Sequence, residues 1–596
     1  MPSQSWSAGP YPAIFVLQRR PLAGRPRQRL AFMQRSHRRT TLRLLGHFQP
    51  SPTMESTVPA DRPTPESRRQ FLRQATLGTG GALLAAGPLS SVLAQQQAPA
   101  VITAERLRPQ VRSGAMSGDT TRDAAMLWSQ TDRVARMVVE YSAHENFKNA
   151  QTITGPLALA RNDYTARVDL RGLPVAQRLY YRVRFQDLQH KSAWSEPVTG
   201  SLIIAGGSGR DISFAFSGDE AGQGWGINEA WGGYRVYETM RRFQPDFFIH
   251  SGDQIYADGP IQAEVTLDDG SIWRNLVTPA KAKVAETLDD FRGNFAYNLL
   301  DANKKRFMAE VPFLVQWDDH EVRNNWCPDQ RIDAADKRYQ ERDLNLLMQR
   351  ARQAMFEYNP FRIDSADPQR IYRSFDYGPL LEVFMLDERS YRSANSANAQ
   401  DRQGADTAFL GTAQMRWLKQ SLRRSRSTWK VIASDMPLSI VVPDLNPGVP
   451  PDTYEAWANG EHGMPLGREL EVARLLRFIK HHQIRNVVWV TADVHYASAT
   501  HYTPQKARFT DFEPFWEFVG GPLHAGSFGP GKIDRTFGPD VRHVSIPMDM
   551  KQNRPPTELH QFFGIGKIDA KTKAMTVSLH NVEGNKLYGV ELAPQA

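Results

Sequence analysis

Between Ile212 and Asp493, six short apolar runs each stop on an aspartate. Ile212–Ser217 leads to Asp219, and Phe247–Ile249 leads through His250-Ser-Gly to Asp253. Pro312–Trp317 leads to Asp318-Asp319-His320-Glu321, and Leu381–Leu386 to Asp387. Trp429–Ser434 leads to Asp435, and Asn486–Ala492 to Asp493. Apolar runs this short, bounded by glycine and polar residues, read as buried strands. Strands buried on both faces belong to a sheet covered by further layers. Helical periodicity falls between them, over Gly233–Phe243, Asp289–Glu310, Ala334–Tyr358 and Arg468–His482. This alternation predicts an α/β core whose ligand lies just past the carboxyl ends of the strands. The runs after Asp493, with a terminal strand pair at Ala574–His580 and Leu587–Leu592, predict a second sheet closing that core.

Residues 111–203 are patterned differently. Short alternating runs, parted by Gly, Asp, Asn and Pro, predict an antiparallel β-sandwich of about 100 residues. Tyr164–Leu170, Gly172-Leu-Pro and Tyr180-Tyr-Arg-Val resemble the fibronectin type III pattern. Its expected role is packing or spacing, with ligand binding as the alternative. Ala205-Gly-Gly-Ser-Gly-Arg marks the boundary, giving a sandwich over 105–205 and a catalytic domain over 211–596.

A chain of 596 residues with 41% hydrophobic and 23% charged positions fits a globular protein of two or three domains. The net charge of +9 is local: residues 1–53 hold nine Arg and no Lys, Asp or Glu, so the remainder balances. No nucleic-acid-binding patch follows from it. Ser-Arg-Arg-Gln-Phe-Leu at 67–72, then a mildly apolar stretch and Val92-Leu93-Ala94, reads as a twin-arginine signal peptide over 67–94. It predicts export through the twin-arginine translocase to a periplasmic or extracellular site, with no transmembrane anchor in the mature form. Residues 1–66 read as a disordered basic extension or as an artefact ahead of a true start at Met54. The single cysteine, Cys327, excludes an intramolecular disulfide and reads as a buried thiol.

If the acidic strand ends share one edge, their carboxylates repel unless cations neutralise them. Oxygen-rich clusters with one or two His suit iron, manganese, calcium or zinc. Asp219 and Asp253 each follow a glycine, which lets the chain turn close to a bound ion. A lone strand-end Asp is otherwise a helix N-cap. Tyr256 can bring a phenolate to the same centre, a hard ligand favouring ferric iron.

Trp317–Trp326, WDDHEVRNNW, is the most specific string. Asp319 can bind metal while the adjacent His320 faces substrate, and a protonated His donates readily to a leaving oxygen. Asn324 and Asn325 offer neutral groups to a second metal or a phosphate oxygen. Asp493 and His495 stand at i, i+2, on one side of an extended segment; His501 is a lesser candidate. Arg389 and Arg392 suit either a clamp on phosphate oxygens or salt bridges to the acidic cluster. Asp435 reads as structural and His462 as exposed. No serine-nucleophile elbow, phosphate-binding P-loop or paired-cysteine motif is present.

Together these strings resemble the alkaline phosphatase D (PhoD-like) family, a branch of the calcineurin-like metallophosphoesterases. The resemblance spans most of 105–595 and rests on HSGDQIYADGP, WDDHEVRNNW and ADVHYA. It implies a four-layer α/β/β/α metallophosphatase domain behind the sandwich, and a secreted phosphatase using iron with calcium. Carried over by position, Asp253 bridges the metals, Tyr256 and His495 lie on the iron side, and Asp493 faces calcium. Asp319 or one of Asn324 and Asn325 completes that side, and His320 matches the general acid. One departure stands out. Family members place a cysteine ligand where this chain has Ser217-Gly218-Asp219, and Ala221 stands where ordinary metallophosphoesterases carry His. A hard carboxylate in place of a soft thiolate opens the site to manganese or zinc.

The resulting expectation is an exported metal-dependent alkaline phosphatase acting on small phosphate monoesters and also diesters. Its metal ligands are Asp219, Asp253, Tyr256, Asp319, Asn325, Asp493 and His495; its catalytic groups are His320, Asn324 and Arg389. The alternatives are a phosphodiesterase or phospholipase-like enzyme on the same site, and a non-catalytic secreted binding protein.

Overall fold

The computed structural model describes residues 104–204 and 209–595. The expected signal peptide, the basic extension and most of the glycine-rich boundary lie outside the described residues.

Seven strands make up the front sandwich. Ala115–Gly118, Ala124–Gln130 and Thr165–Arg171 form one side. Gln151–Ala158, Ala135–Ser142, Gln177–Asp187 and Val198–Ile204 form the other. In Gln177–Asp187 every second residue is buried, the period-2 signature of a half-solvated strand. Leu179, Tyr181, Val183 and Phe185 thereby meet Met137, Val139, Leu127 and Val168 in one apolar core.

The three-stranded side does not end at the sandwich. It continues a six-stranded run of the part beyond residue 211, giving nine strands in all. The join is the parallel pair Gly118↔Phe313, extended by the Asp119 amide donating to the Phe313 carbonyl at 3.2 Å. Only glycine permits this approach, since a Cβ at 118 would lie 2.4 Å from the Phe313 oxygen.

From Ile212 onward the described residues form two large sheets and two small two-stranded ones. In the first, Ile212–Ser217, Phe247–His250 and Phe313–Val315 run parallel. Phe562–Ile568 flanks them antiparallel, followed by Met575–Asn581 and Lys586–Leu592. The terminal pair was expected in the second sheet; it belongs to the first, because Phe562–Ile568 pairs with Ile212–Ser217 and draws the later strands after it. The second sheet has seven strands around a parallel centre of Leu381–Met385, Trp429–Ala433, Val487–Thr491 and Phe515–Val519.

Alternation along the strands builds the layers. Phe214, Phe216, Phe247, Ile249 and Leu314 face Val383, Met385, Val431, Val488 and Val490 between the two sheets. Their neighbours Ala215, Phe248, Phe313 and Val315 face outward onto helices Arg235–Arg242, Leu288–Asn298, Ala302–Glu310 and Leu344–Tyr358. Phe384, Ile432 and Trp489 face the other way, onto helices Gly411–Arg424 and Glu469–His481. The result is helix, sheet, sheet, helix.

The helices differ from expectation in detail. The span read as Asp289–Glu310 breaks at Asp301, whose side chain caps the second helix by accepting from the Lys304 amide. The span read from Ala334 becomes helical only at Leu344, after the Asp343 cap. Helix Gly411–Arg424 was not foreseen. No helix among the described residues is long and apolar enough to cross a membrane.

Candidate metal centre

The carboxyl ends of strands from both large sheets bring their acidic side chains together, and the chain reaches this cluster by left-handed turns. Asp219, Asp253, Asn325, Asp493 and His495 have φ of 67°, 52°, 58°, 66° and 61°. Non-glycine residues in that region cost on the order of 1 kcal/mol each and cluster at functional sites. Gly252 lets two ligand loops touch, since a Cβ there would lie 2.4 Å from the Asp318 Cβ.

Three groups of side chains bring ligand atoms within 4.8 Å of one another. They are Asp219, Asp253 and His495; Asp253, Asp319 and His320; and Asp318, Asp319 and Asp493. Asp253 links the first two groups and Asp319 the last two. Both carboxylate oxygens of Asp219, Oδ1 of Asp319 and Oδ2 of Asp318 are buried without a hydrogen-bond partner. A buried carboxylate with no partner costs several kcal/mol, and nature's usual remedies are a cation or a proton. Burial, together with the neighbouring carboxylates, raises Asp219, Asp253, Asp318 and Asp493 well above the usual range. These residues fit metal ions: hard oxygen donors, one imidazole, and orphaned lone pairs aimed at a common space.

His495 is oriented for a ligand's role. Its Nδ1 donates to the Gly526 carbonyl at 2.6 Å, which leaves Nε2 facing the Tyr256 phenol at 3.0 Å and Asp219 Oδ1 at 3.9 Å. Burial lowers this imidazole to about 4, so it is neutral. Tyr256 therefore sits beside His495 and Asp219.

His320 is held differently. Its Nδ1 meets Asp258 Oδ1 at 2.6 Å, its ring packs on Tyr256 with centroids 4.2 Å apart, and Nε2 lies 3.9 Å from Asp319 Oδ1. Burial alone would lower it, but the Asp258 and Asp319 carboxylates outweigh that and push it up to about 10. It therefore holds its proton at neutral pH and lies, 14% exposed, at the edge of the cluster. Asp258 also accepts from the Asn324 amide at 2.8 Å.

Arg389 corrects one expectation. It is fully buried, and its guanidinium is taken by Asp318, by Asp435 at 3.2 Å and by Glu455. Of the two roles weighed for it, the geometry is that of internal counter-ion rather than substrate clamp. Arg392 follows it into the interior against Glu455. Asp435 is a partner of Arg389, and Asp387 accepts from the Trp317 indole at 2.8 Å, so these two strand-end carboxylates are structural.

Asn325 donates its amide N–H to Asp319, while the Asn324 side chain is only partly buried beside it. His501 stacks on Trp516 and lies outside the three groups, and the His462 side chain is 51% exposed. Cys327 is a free buried thiol raised by burial.

Three residues were given no role in the sequence reading. Asp318 belongs to the third group, although adjacency in WDDHE had pointed only to Asp319. Asp258 anchors His320. Glu321 accepts from the amides of Asp253, Gln254 and Asp318 at 3.2, 2.6 and 2.8 Å, tying two ligand loops together. For Asp318 and Glu321 the available signal was a run of four consecutive charged or titratable residues at a strand end.

Residues 214–579 match the family model described as PhoD-like phosphatase, and residues 95–205 match that of the PhoD-like phosphatase N-terminal domain. Among curated proteins, the chain is similar to alkaline phosphatase D of Bacillus subtilis (strain 168). The two are 29% identical over 446 residues, covering 70% of each chain. Among solved structures it is similar to that of PhoD, with a TM-score of 0.58 and 21% identity over 83% of this chain and 94% of the other. At that identity the structural likeness concerns the fold.

Proposed function

This chain belongs to the PhoD-like phosphatase family, and from that membership we propose that it is an exported, metal-dependent hydrolase of phosphate esters. Monoesters are the primary substrates, with diesters on the same site. The observation that carries the metal dependence is the set of buried, unpartnered oxygens on Asp219, Asp318 and Asp319, in ligand groups joined through Asp253 and Asp319.

Asp219, Asp253, Tyr256 and His495 would hold one ion; Asp318, Asp319, Asn325 and Asp493 would hold a second, with Asp253 or Asp319 between them. When bound, the ions supply Lewis-acid polarisation of the ester and a nucleophilic water at workable pH. The side chains do the rest. His320, charged and held by Asp258, donates its Nε2 proton to the departing oxygen. The Asn324 side chain, whose backbone N–H is taken by Asp258, is assigned to the ester's non-bridging oxygens. Arg389 offsets part of the carboxylate charge from behind.

Asp219 in place of the family's cysteine makes the first ligand set all oxygen and nitrogen, which favours manganese or zinc beside iron and calcium. We read the front sandwich as a fibronectin-III-like packing module and residues 67–94 as the twin-arginine export signal.

The experiment is metal analysis of the purified protein with monoester and diester assays run together. Bound metal with monoester turnover is expected. Diester turnover alone would favour the phosphodiesterase reading, and neither metal nor turnover would leave a binding protein. His495→Ala should lose metal and activity together; intact metal content would remove His495 from the ligand set.

A further inference from the structure

We infer that Asp444 is a positioning residue that fixes the amide of Asn325, so that Oδ1 rather than Nδ2 faces the second cation. The inference rests on reading Asn325 as a ligand of that cation. A primary amide has one accepting and one donating end, and a cation takes only the oxygen. Which end points inward is decided by what receives the N–H. Asp444 is buried, comes from a loop 119 residues away, and is an acceptor only. Its Oδ1 lies 3.3 Å from Asn325 Nδ2 and also takes the Asn446 backbone N–H at 3.1 Å and Nδ2 at 2.8 Å. Its Oδ2 takes Asn395 Nδ2 at 2.9 Å.

The same two asparagines grip the main chain around the ligand. Asn395 Nδ2 donates to the Asn325 carbonyl at 2.8 Å, and Asn446 Nδ2 donates to the Asn324 carbonyl at 2.9 Å. The Asn325 N–H goes to Asp319. Three of its four polar groups are therefore committed, and Oδ1 is the one left to meet an ion. The left-handed φ of 58° at Asn325, a conformation asparagine tolerates, is braced by this network. A merely structural Asp444 would cap its own turn through the Asn446 amide and hold Asn395, without reaching the Asn325 side chain.

The test titrates chelator-stripped protein with Ca²⁺, and with Mn²⁺ in parallel, in the wild type and in Asp444→Leu, Asp444→Asn and Asn325→Ala. Asp444→Leu should weaken the second ion roughly 10–100-fold while leaving the ion at Asp219 and His495 in place. Asp444→Asn retains one accepting oxygen and should recover most of that affinity. Unchanged affinity in Asp444→Leu, with only a lower melting temperature, would overturn the inference. If Asn325→Ala also keeps the second ion, the reading of Asn325 itself fails; if it loses the ion and Asp444→Leu does not, only the positioning role fails. Should the Leu variant not fold, Asp444→Ser, too short to reach the amide, takes its place with the same outcomes.

Discussion

The Nδ1 of His320 lies 2.6 Å from Oδ1 of Asp258, a carboxylate five residues beyond Asp253. This contact raises the imidazole and fixes which nitrogen faces the acidic cluster. The sign follows directly. A group whose folded pKa is raised keeps its proton to higher pH, so donation by His320 is lost as pH rises through about 10. Asp258→Asn removes the largest raising influence, and the alkaline limb of kcat/KM should move to lower pH. Turnover should fall roughly 100-fold, the low end of what general acid–base catalysis contributes. Metal content should not change. A pH–rate profile of the variant with an unmoved alkaline limb would separate His320 from proton donation.

On the proposed reading, Asp219 takes the place of a cysteine ligand. With both oxygens buried and unpartnered, it should be a ligand in its own right. Asp219→Ala should empty its own group and spare the one around Asp318, Asp319 and Asp493. Asp219→Cys should retain an ion but turn preference from manganese toward zinc or iron. Competition among the three metals, read by elemental analysis, checks this. Equal preference in both proteins would place Asp219 outside the ligand set.

Removing the metals should make stability depend on pH in a particular direction. In the ion-free protein, burial first and then the neighbouring carboxylate of Asp319 raise Glu321 to about 7, and burial raises Asp219, Asp253, Asp318 and Asp493 well above the usual carboxylate range. Groups with raised folded pKa bind more protons folded than unfolded. Their contribution is therefore present at mildly acid pH and lost as pH rises through 7. Cations replace those protons, so the rise in melting temperature on adding metal should grow from pH 5 to pH 8. A metal-induced shift that is flat or shrinks over this range would contradict ligation by these carboxylates.

Much of this site could be read from the chain because its parts lie in short strings at strand ends. Asp253 and Tyr256 share one turn, Asp319 and His320 are adjacent, and Asp493 and His495 stand two apart. What could not be read depends on how the two sheets face each other. Arg389 follows Asp387 in sequence, yet its partners Asp318, Asp435 and Glu455 come from three other segments. Asp444 and Asn395 acquire meaning only when their loops close on Asn325. The period-2 pattern of Met575–Asn581 announces a strand but carries no information about which sheet receives it.

The junction of sandwich and catalytic part offers a last test, independent of catalysis. Asp119 is buried at the end of strand Ala115–Gly118 and pairs with Arg373 at 2.7 Å. It also accepts from the Arg362 backbone at 2.6 Å, while its own carbonyl receives the Arg362 guanidinium at 2.8 Å. Arg373 in turn lies over the Phe361 ring and donates to the Val315 carbonyl at 2.9 Å, so the pair ties the sandwich to the strand that leads into WDDHE. Removing one partner of a buried pair strands the other's charge. Asp119→Ala should therefore cost about 3 kcal/mol of unfolding free energy, the lower bound for such breaks because Arg373 retains some solvent contact. Since Asp119 belongs to none of the ligand groups, kcat and metal content should hold at temperatures where the variant is folded. Denaturant titration beside kinetics measures both; lost turnover at unchanged stability would mean that the sandwich acts on the site rather than merely supporting the sheet beneath it.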